Sequence, residues 1–198
     1  MHLLKSVFRF TLFPGWLLLI GLSGWWFYRA GASPSLVIAL TGAVSWLLVT
    51  IFERVLPYRA DWNVHRGHLP TDVTSFGVIA GVIDPALNII GPALAVWLVT
   101  VASPYGLPIF PTSMPALLQV VLVFLVAEFG KYWIHRWHHE SEFLWRFHAM
   151  HHSSEHLYSL NNFRLHPFNH VLSYSMSMFP LALIGAPVEP LLVYSCVV

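Results

Sequence analysis

Histidines are concentrated in one short stretch of this chain, HRWHHESEFLWRFHAMHH, which begins at residue 135. It holds six of the twelve histidines of the 198-residue sequence. His135 and His139 are four residues apart, and His148, His151 and His152 follow as H-x-x-H-H. Because positions i, i+3 and i+4 share one face of a helix, each cluster can direct two or three imidazoles toward one point. Between the clusters, the stretch from Ser141 to Leu144 allows a turn that would bring the second helix back against the first.

The chemistry that such clusters favour is metal binding. Imidazole nitrogens are ligands for zinc, copper, iron and nickel. A zinc site takes four ligands, or three and a water molecule, so five or more histidines exceed the needs of one site. The sequence therefore predicts either two metals or one site with surplus ligands. Two metals beside a lipid-accessible pocket would favour oxygen chemistry on a long apolar substrate.

Histidines near a membrane also serve as interfacial or hydrogen-bonding residues. That interpretation suits four of them, namely His2, His65, His68 and His156. It does not suit all nine histidines between residues 135 and 170, because each would need partners for two ring nitrogens. His138 lies off the face that His135 and His139 share, so we leave it outside the predicted ligand set.

The composition indicates a lipid environment. The chain is 57% hydrophobic and only 10% charged, whereas soluble domains carry about 25% charged residues. A formal net charge of +1 gives no reason to expect a nucleic-acid surface. Cys196 is the single cysteine, which excludes an internal disulfide.

The apolar segments predict an all-α, multi-pass membrane protein with about four to six transmembrane segments. Residues 11–28 and 34–52 carry no charge, and each has the length of a bilayer crossing. Residues 73–102 are interrupted by Gly and Pro, which favours a broken span or a tight hairpin. Residues 115–133 form a fourth span that continues into the histidines. Residues 171–198 fit a hairpin or one and a half spans.

The basic residues orient these spans. With a cytoplasmic N-terminus, nine of the ten Lys and Arg residues fall on the inside and only Arg29 falls outside, as the positive-inside rule requires. Residues 53–72 and 131–170 then share the cytoplasmic face. No repeat or linker divides the chain, so we expect one membrane domain, 1–198, with its histidine-rich region at 128–170.

Three further residues have two interpretations each. Asp84 before Pro85 favours a helix cap, with substrate or proton handling as the alternative. Glu128 either orients a histidine or pairs with Lys131 at the membrane boundary. Trp145 is either an interfacial anchor or a wall of the metal pocket.

These motifs together resemble the fatty acid hydroxylase and sterol desaturase superfamily of integral-membrane, non-haem di-iron oxygenases. The resemblance lies in EFGKYWIHRWHHESEFLWRFHAMHHSSE, which begins at residue 128, and in NNFRLHP, which begins at residue 161. The acidic Glu128 precedes Tyr-Trp-x-His-Arg, and Leu-Trp-x-x-His-x-x-His-His-Ser follows. Arg164-Leu165-His166-Pro167 is similar to a later element of the superfamily.

The resemblance implies a ligand set and a reaction. The implied metal ligands are His135, His139, His148, His151, His152 and His166, with His170 a weaker candidate. It implies two iron ions, with zinc a possible substitute, and an external electron donor such as a reductase or a small electron-transfer protein. The substrate would be a lipid in the membrane, and the O2-dependent reaction would be hydroxylation or desaturation. No other cofactor and no catalytic residue beyond the ligands is implied.

One element of the superfamily pattern is missing. Members carry a further H-x-x-H-H box after another pair of apolar segments, and this sequence has none before Val198. We therefore expect an incomplete copy, and a catalytically inactive fragment that only binds metal, or has no enzymatic role, stays open as the alternative. A metal transporter is disfavoured because its histidines would lie along the spans rather than at one edge.

Overall fold

The computed structural model describes residues 2–57, 59–63, 67–105 and 109–198, with side chains described from residue 10 onward except for Ala60 and Asn63. In these ranges the secondary structure is entirely helical. The predicted all-α fold is therefore confirmed.

Eight α-helices follow one another in the described part of the chain. They are α1 (His2–Arg29), α2 (Pro34–Val55), α3 (Leu69–Val78), α4 (Asp84–Ala102), α5 (Ala116–Glu140), α6 (Glu142–His148), α7 (Pro167–Ile184) and α8 (Val188–Val197). Short 3-10 turns lie between them, including His151–Ser153 and Ser159–Phe163.

Four helical segments of the described chain are long and apolar enough to cross a membrane. They are Phe10–Arg29, Pro34–Val55, Leu69–Tyr105 and Ala116–Glu140. These segments coincide with the first four predicted spans, so a multi-pass membrane protein is confirmed. The segment 171–198 forms a hairpin of α7 and α8, which turns at Gly185 with a left-handed φ of 77°. Helix α8 is a shorter apolar helix, Val188–Val197.

The third segment corrects two predictions. It contains no hairpin, because a π-helical turn, Ile79–Ile83, joins α3 to α4 without a break. The Asp84 N–H donates to the Ile79 carbonyl five residues back, and this wider turn accommodates Pro85 within the helix. The predicted cap at Asp84 is also wrong, since no side chain caps the start of α4. Asp84 Oδ1 instead lies 2.6 Å from His170 Nε2 on α7.

Helix α5 occupies the centre of the bundle and packs most closely against α7. At Gly130 the two backbones approach so closely that an added Cβ would overlap with the carbonyl oxygen of Met176. A buried apolar cluster extends this contact: Phe110, Val123, Ala127, Leu181 and Tyr194. The histidines at the end of α5 are therefore carried by the most buried of the four candidate spans.

The end of α2, the start of α3 and the segment between α6 and α7 lie at the same end of the bundle. Thr50 Oγ1 donates to Ser159 Oγ at 2.9 Å, and the Ser159 N–H donates to Glu53 at 2.7 Å. Asp72, in the first turn of α3, forms a buried ion pair with Arg164. The predicted common face of residues 53–72 and 131–170 agrees with these contacts, and its cytoplasmic orientation stays a prediction.

Candidate metal centre

Four imidazoles converge at this end of the bundle. His135, His139, His148 and His152 each offer one ring nitrogen, and these atoms all lie within 4.8 Å of one another. His148 is buried, whereas the other three are exposed. The cluster is thus a shallow site with one deeply held ligand.

The local sequence explains how two helices meet here. His135 and His139 stand one turn apart on α5. The chain then breaks at Ser141, whose extended backbone ends α5 and whose hydroxyl accepts from the Leu144 N–H to begin α6. Helix α6 has only seven residues and ends at His148, and the next 3-10 turn presents His152. The predicted return of the second cluster against the first is confirmed.

The distances inside the cluster suit a bound metal ion. His139 Nε2 lies 3.2 Å from His135 Nε2, and His152 Nε2 lies 3.1 Å from His148 Nε2. Imidazole nitrogens bind zinc at about 2.0–2.1 Å, so two ligands of one tetrahedral ion are separated by roughly 3.3 Å. The donor set is all nitrogen, which zinc, iron, copper and nickel accept. The residues present therefore fit a metal.

A hydrogen bond fixes the orientation of the buried ligand. His148 Nδ1 lies 2.9 Å from Asn169 Oδ1, and both side chains are almost fully buried. An amide oxygen only accepts, so His148 Nδ1 carries the hydrogen and its Nε2 presents a lone pair to the cluster. Burial lowers the pKa of His148 to about 4, which keeps this imidazole neutral near pH 7. Sequence reasoning missed Asn169, because no local pattern joins it to a residue 21 positions earlier.

Two more histidines border the four. The His151 ring lies 5.2 Å from that of His152, and His151 Nδ1 is buried without a hydrogen-bond partner among the described residues. His138 is fully buried and stacks on His148 with ring centroids 4.9 Å apart. Neither ring nitrogen of His138 has a hydrogen bond of good geometry to a described residue, although the ring interacts with the Ile134 carbonyl one turn earlier. An unpaired buried imidazole is costly, so both residues could complete a larger ligand set.

The remaining predicted ligands lie elsewhere in the structure. His166 packs on Phe147, and its Nδ1 accepts from the Phe168 N–H to cap α7. His170, the weaker candidate, pairs with Asp84. Neither belongs to the group of converging nitrogens that the described residues form.

The structure also distinguishes between the two interpretations of Glu128 and between those of Trp145. Glu128 Oε1 lies 3.5 Å from Lys131 Nζ and accepts from Tyr194 Oη at 2.9 Å. Glu128 is thus an ion-pair partner rather than a residue that orients a histidine. Trp145 stacks on His152 at 5.8 Å and lies 5.4 Å from His139. It forms a wall of the cluster, which the sequence left open.

Fold and site together define a multi-pass helical membrane protein with a histidine cluster at one end of its bundle. The model of the family described as fatty acid hydroxylase matches residues 120–198, which include the whole cluster. The ornithine lipid hydroxylase OlsE of Rhizobium tropici is 34% identical over 143 residues, which are 71% of this chain and 43% of that protein. No solved structure matches the chain.

Residues 120–198 of the chain thus match the fatty acid hydroxylase family, and the similarity to the lipid hydroxylase supports that superfamily. The chain spans less than half the length of the curated relative that it matches.

Proposed function

We propose that this chain is the histidine-bearing part of a membrane-bound, O2-dependent lipid hydroxylase. The observation that carries the proposal is the convergence of four imidazoles within 4.8 Å at the end of an apolar bundle. The superfamily and the name of the relative, an ornithine lipid hydroxylase, support hydroxylation over desaturation and a lipid over a soluble substrate.

The metals of the proposed enzyme are two iron ions. When bound, they would activate O2 for attack on an unactivated C–H bond. His135, His139, His148 and His152 would hold the first ion, and a second would draw on the bordering imidazoles of His151 and His138. His166 can be a ligand, as predicted, only if its ring no longer caps α7 by accepting from the Phe168 N–H.

The protein's own residues would prepare the site in three ways. Asn169 holds His148 in the tautomer that presents Nε2. Trp145 shields the exposed side of His139 and His152 from water. The apolar surfaces of α4 and α5 would admit a lipid chain laterally from the bilayer. For each C–H bond converted to C–OH, the second oxygen atom of O2 becomes water, which consumes two electrons and two protons from an external donor protein.

A lipid analysis tests this function. The chain and its His139→Ala variant are expressed in bacterial membranes that contain ornithine lipid and an iron–sulfur reductase, under 18O2. We expect ornithine lipid that carries one added 18O atom only with the unaltered chain, and an Asn162→Ala control, which changes an exposed residue, should retain the product. A product with two fewer hydrogens would indicate desaturation. If the chain holds iron but yields no modified lipid, the hydroxylase proposal is overturned. The chain would then be a metal-binding membrane protein.

A further inference from the structure

A second cavity, separate from the histidine cluster, lies between α2, α3 and the loop that precedes α7. Its volume is about 510 Å³, and none of the four converging histidines lines it. One wall is apolar and is formed by Trp46, Leu69, Val73 and Phe76. The Trp46 indole stacks on Phe76 with centroids 5.6 Å apart, so the two rings hold each other in place on this apolar wall, which can pack against a hydrocarbon chain.

The helix that carries Trp46, α2, also carries a cation two turns later, and this cation pairs with no described carboxylate. Arg54 lies in the last turn of α2, and its one hydrogen bond within the described structure is a long one, 3.5 Å, to the Thr50 carbonyl. The neighbouring carboxylate of Glu53 does not line the cavity, because its oxygens accept from the Ser159 N–H and hydroxyl at 2.7 and 2.9 Å. The guanidinium is therefore available to an anion from outside the chain.

Two ring nitrogens at the cavity lack partners. Trp46 Nε1 and His156 Nε2 are shielded from solvent, and neither has a hydrogen-bond partner among the residues that the structure describes. A buried indole N–H is normally paired, and leaving it unpaired costs free energy. Both side chains line the cavity, so a ligand with hydrogen-bond acceptors there would satisfy them.

The start of α3 adds a third favourable feature. His68 and Leu69, where this ten-residue helix begins, line the cavity, and no described side chain caps the helix. Free backbone N–H groups and the helix dipole favour an anion at such an end. Arg54 and the start of α3 thus provide two sources of positive potential beside one apolar wall.

We propose that this cavity binds a lipid with an anionic head group, a phosphate or a carboxylate. The head group lies between Arg54 and the start of α3, and the acyl chain lies against Trp46 and Phe76. A neutral lipid would fill the apolar part and leave the cation and the unpaired donors without acceptors. The proposal concerns binding alone and does not rest on the hydroxylase function.

A lipid-retention experiment tests the site. The protein in detergent is offered equal amounts of phosphatidylglycerol and phosphatidylcholine with identical acyl chains, and the lipid retained after gel filtration is counted by mass spectrometry. A third arm replaces phosphatidylglycerol with an N-acyl amino acid, which carries a carboxylate. The variants are Arg54→Gln and Val73→Trp, the latter to fill the cavity.

Each variant has a matched control. Arg29→Gln removes an exposed arginine from the last turn of α1, where it pairs with Glu189, and Val96→Trp enlarges an exposed valine of α4 that does not line the cavity. Circular dichroism and elution volume confirm that all four variants fold.

We expect the parent chain to retain an anionic lipid roughly fivefold better than phosphatidylcholine, as one cation near a lipid head group provides. Arg54→Gln should abolish this preference and Val73→Trp should abolish retention, while both controls behave as the parent. Preference for phosphatidylglycerol identifies a phosphate head group, and preference for the N-acyl amino acid alone identifies a carboxylate. Equal retention of charged and neutral lipids, or equal losses in Arg29→Gln and Arg54→Gln, would overturn the proposal. Metal content is measured in parallel, so a loss of lipid binding can be distinguished from a loss of the metal centre.

Discussion

At the residue scale, the cluster depends on one buried imidazole and on the amide that holds it. His148 is 2% exposed and Asn169 is 4% exposed, so water cannot replace their hydrogen bond. The other three imidazoles of the cluster are exposed, and their rings touch His148 or one another at centroid distances of 4.7–4.8 Å. Asn169 therefore positions the whole group through His148.

Replacing Asn169 should weaken metal binding without removing a ligand. Asn169→Leu deprives His148 Nδ1 of its acceptor, and loss of such an outer partner typically lowers metal affinity about 10–100-fold. Competition with a chelator of known affinity measures the change, and Asn162→Ala, which alters an exposed amide, serves as the control. An unchanged affinity in Asn169→Leu would show that the ring orientation of His148 is set by something else.

The buried ion pair beside the cluster should control stability. Arg164 Nε donates to Asp72 Oδ1 at 2.5 Å, with side-chain exposures of 3% and 0%, and the Tyr158 hydroxyl also donates to Asp72. Burial, followed by the hydrogen bond to Asp72, raises the pKa of Tyr158 to about 12. The network also holds the loop after His152, since Arg164 donates to Ser153 Oγ at 3.2 Å.

Asp72→Asn would leave the Arg164 cation buried without a counter-charge. Breaking a buried pair in this way costs ~3–5 kcal/mol, so we expect a large fall in Tm, measured by thermal unfolding in detergent. Asp61→Asn breaks the exposed pair with Arg59 and should leave Tm almost unchanged. Equal effects of the two substitutions would contradict a special role for the buried pair.

At the element scale, the contact of α5 with α7 places the histidines. Gly130 lies five residues before His135, and no larger residue fits against the Met176 carbonyl. The same α7 supplies Asn169 to the cluster and His170 to Asp84. A shift of α7 relative to α5 would therefore disturb the site from both sides.

Gly130→Ala should separate these two helices. The neighbouring atom is backbone oxygen, which cannot move aside cheaply, and overpacking of this kind typically costs about 1–3 kcal/mol or more. The matched control is Gly42→Ala in α2, where an added Cβ meets nothing within 4 Å and helix propensity improves by about 1 kcal/mol. Tm and metal content should both fall in Gly130→Ala and not in Gly42→Ala. A Gly130→Ala protein as stable as the parent would contradict the close packing.

The elements show where sequence reasoning succeeds and where it fails. Charge-free length identifies the spans, and the i, i+4 spacing of His135 and His139 identifies their common face, because both signals are local. Asp84 before Pro85 misleads, since the same pair is compatible with a π turn inside a continuous helix. Asn169 carries no signal at all, as its role follows from the packing of α7 on α5.

At the scale of the whole molecule, the two polar segments, 53–72 and 131–170, meet at one end of the bundle. Their shared location explains why the positive residues are concentrated in both segments. The asymmetry of Lys and Arg predicts that this end is cytoplasmic. The opposite end contains the short connection between α1 and α2 and the residues that precede α5. The lipid-facing sides between the ends are apolar, as shown by the exposed Ile89, Val96 and Leu125.

Labelling of introduced cysteines should confirm this topology. We expect Asp61→Cys and Asn162→Cys to react with a membrane-impermeant maleimide only in inside-out vesicles, and Ser113→Cys only in intact cells. The natural Cys196 is buried, so the parent chain provides the background. Labelling of Asp61→Cys and Asn162→Cys from opposite sides would refute the shared end of the bundle.

Metal content tests the central claim most directly. Elemental analysis of the purified chain should find about one or two metal ions per chain, iron or zinc. The double variant His139→Ala with His148→Ala should lose them, whereas His156→Ala, outside the cluster, should keep them. A parent chain without bound metal, or a double variant that retains its metal, would contradict the assignment of the four converging histidines as a metal centre.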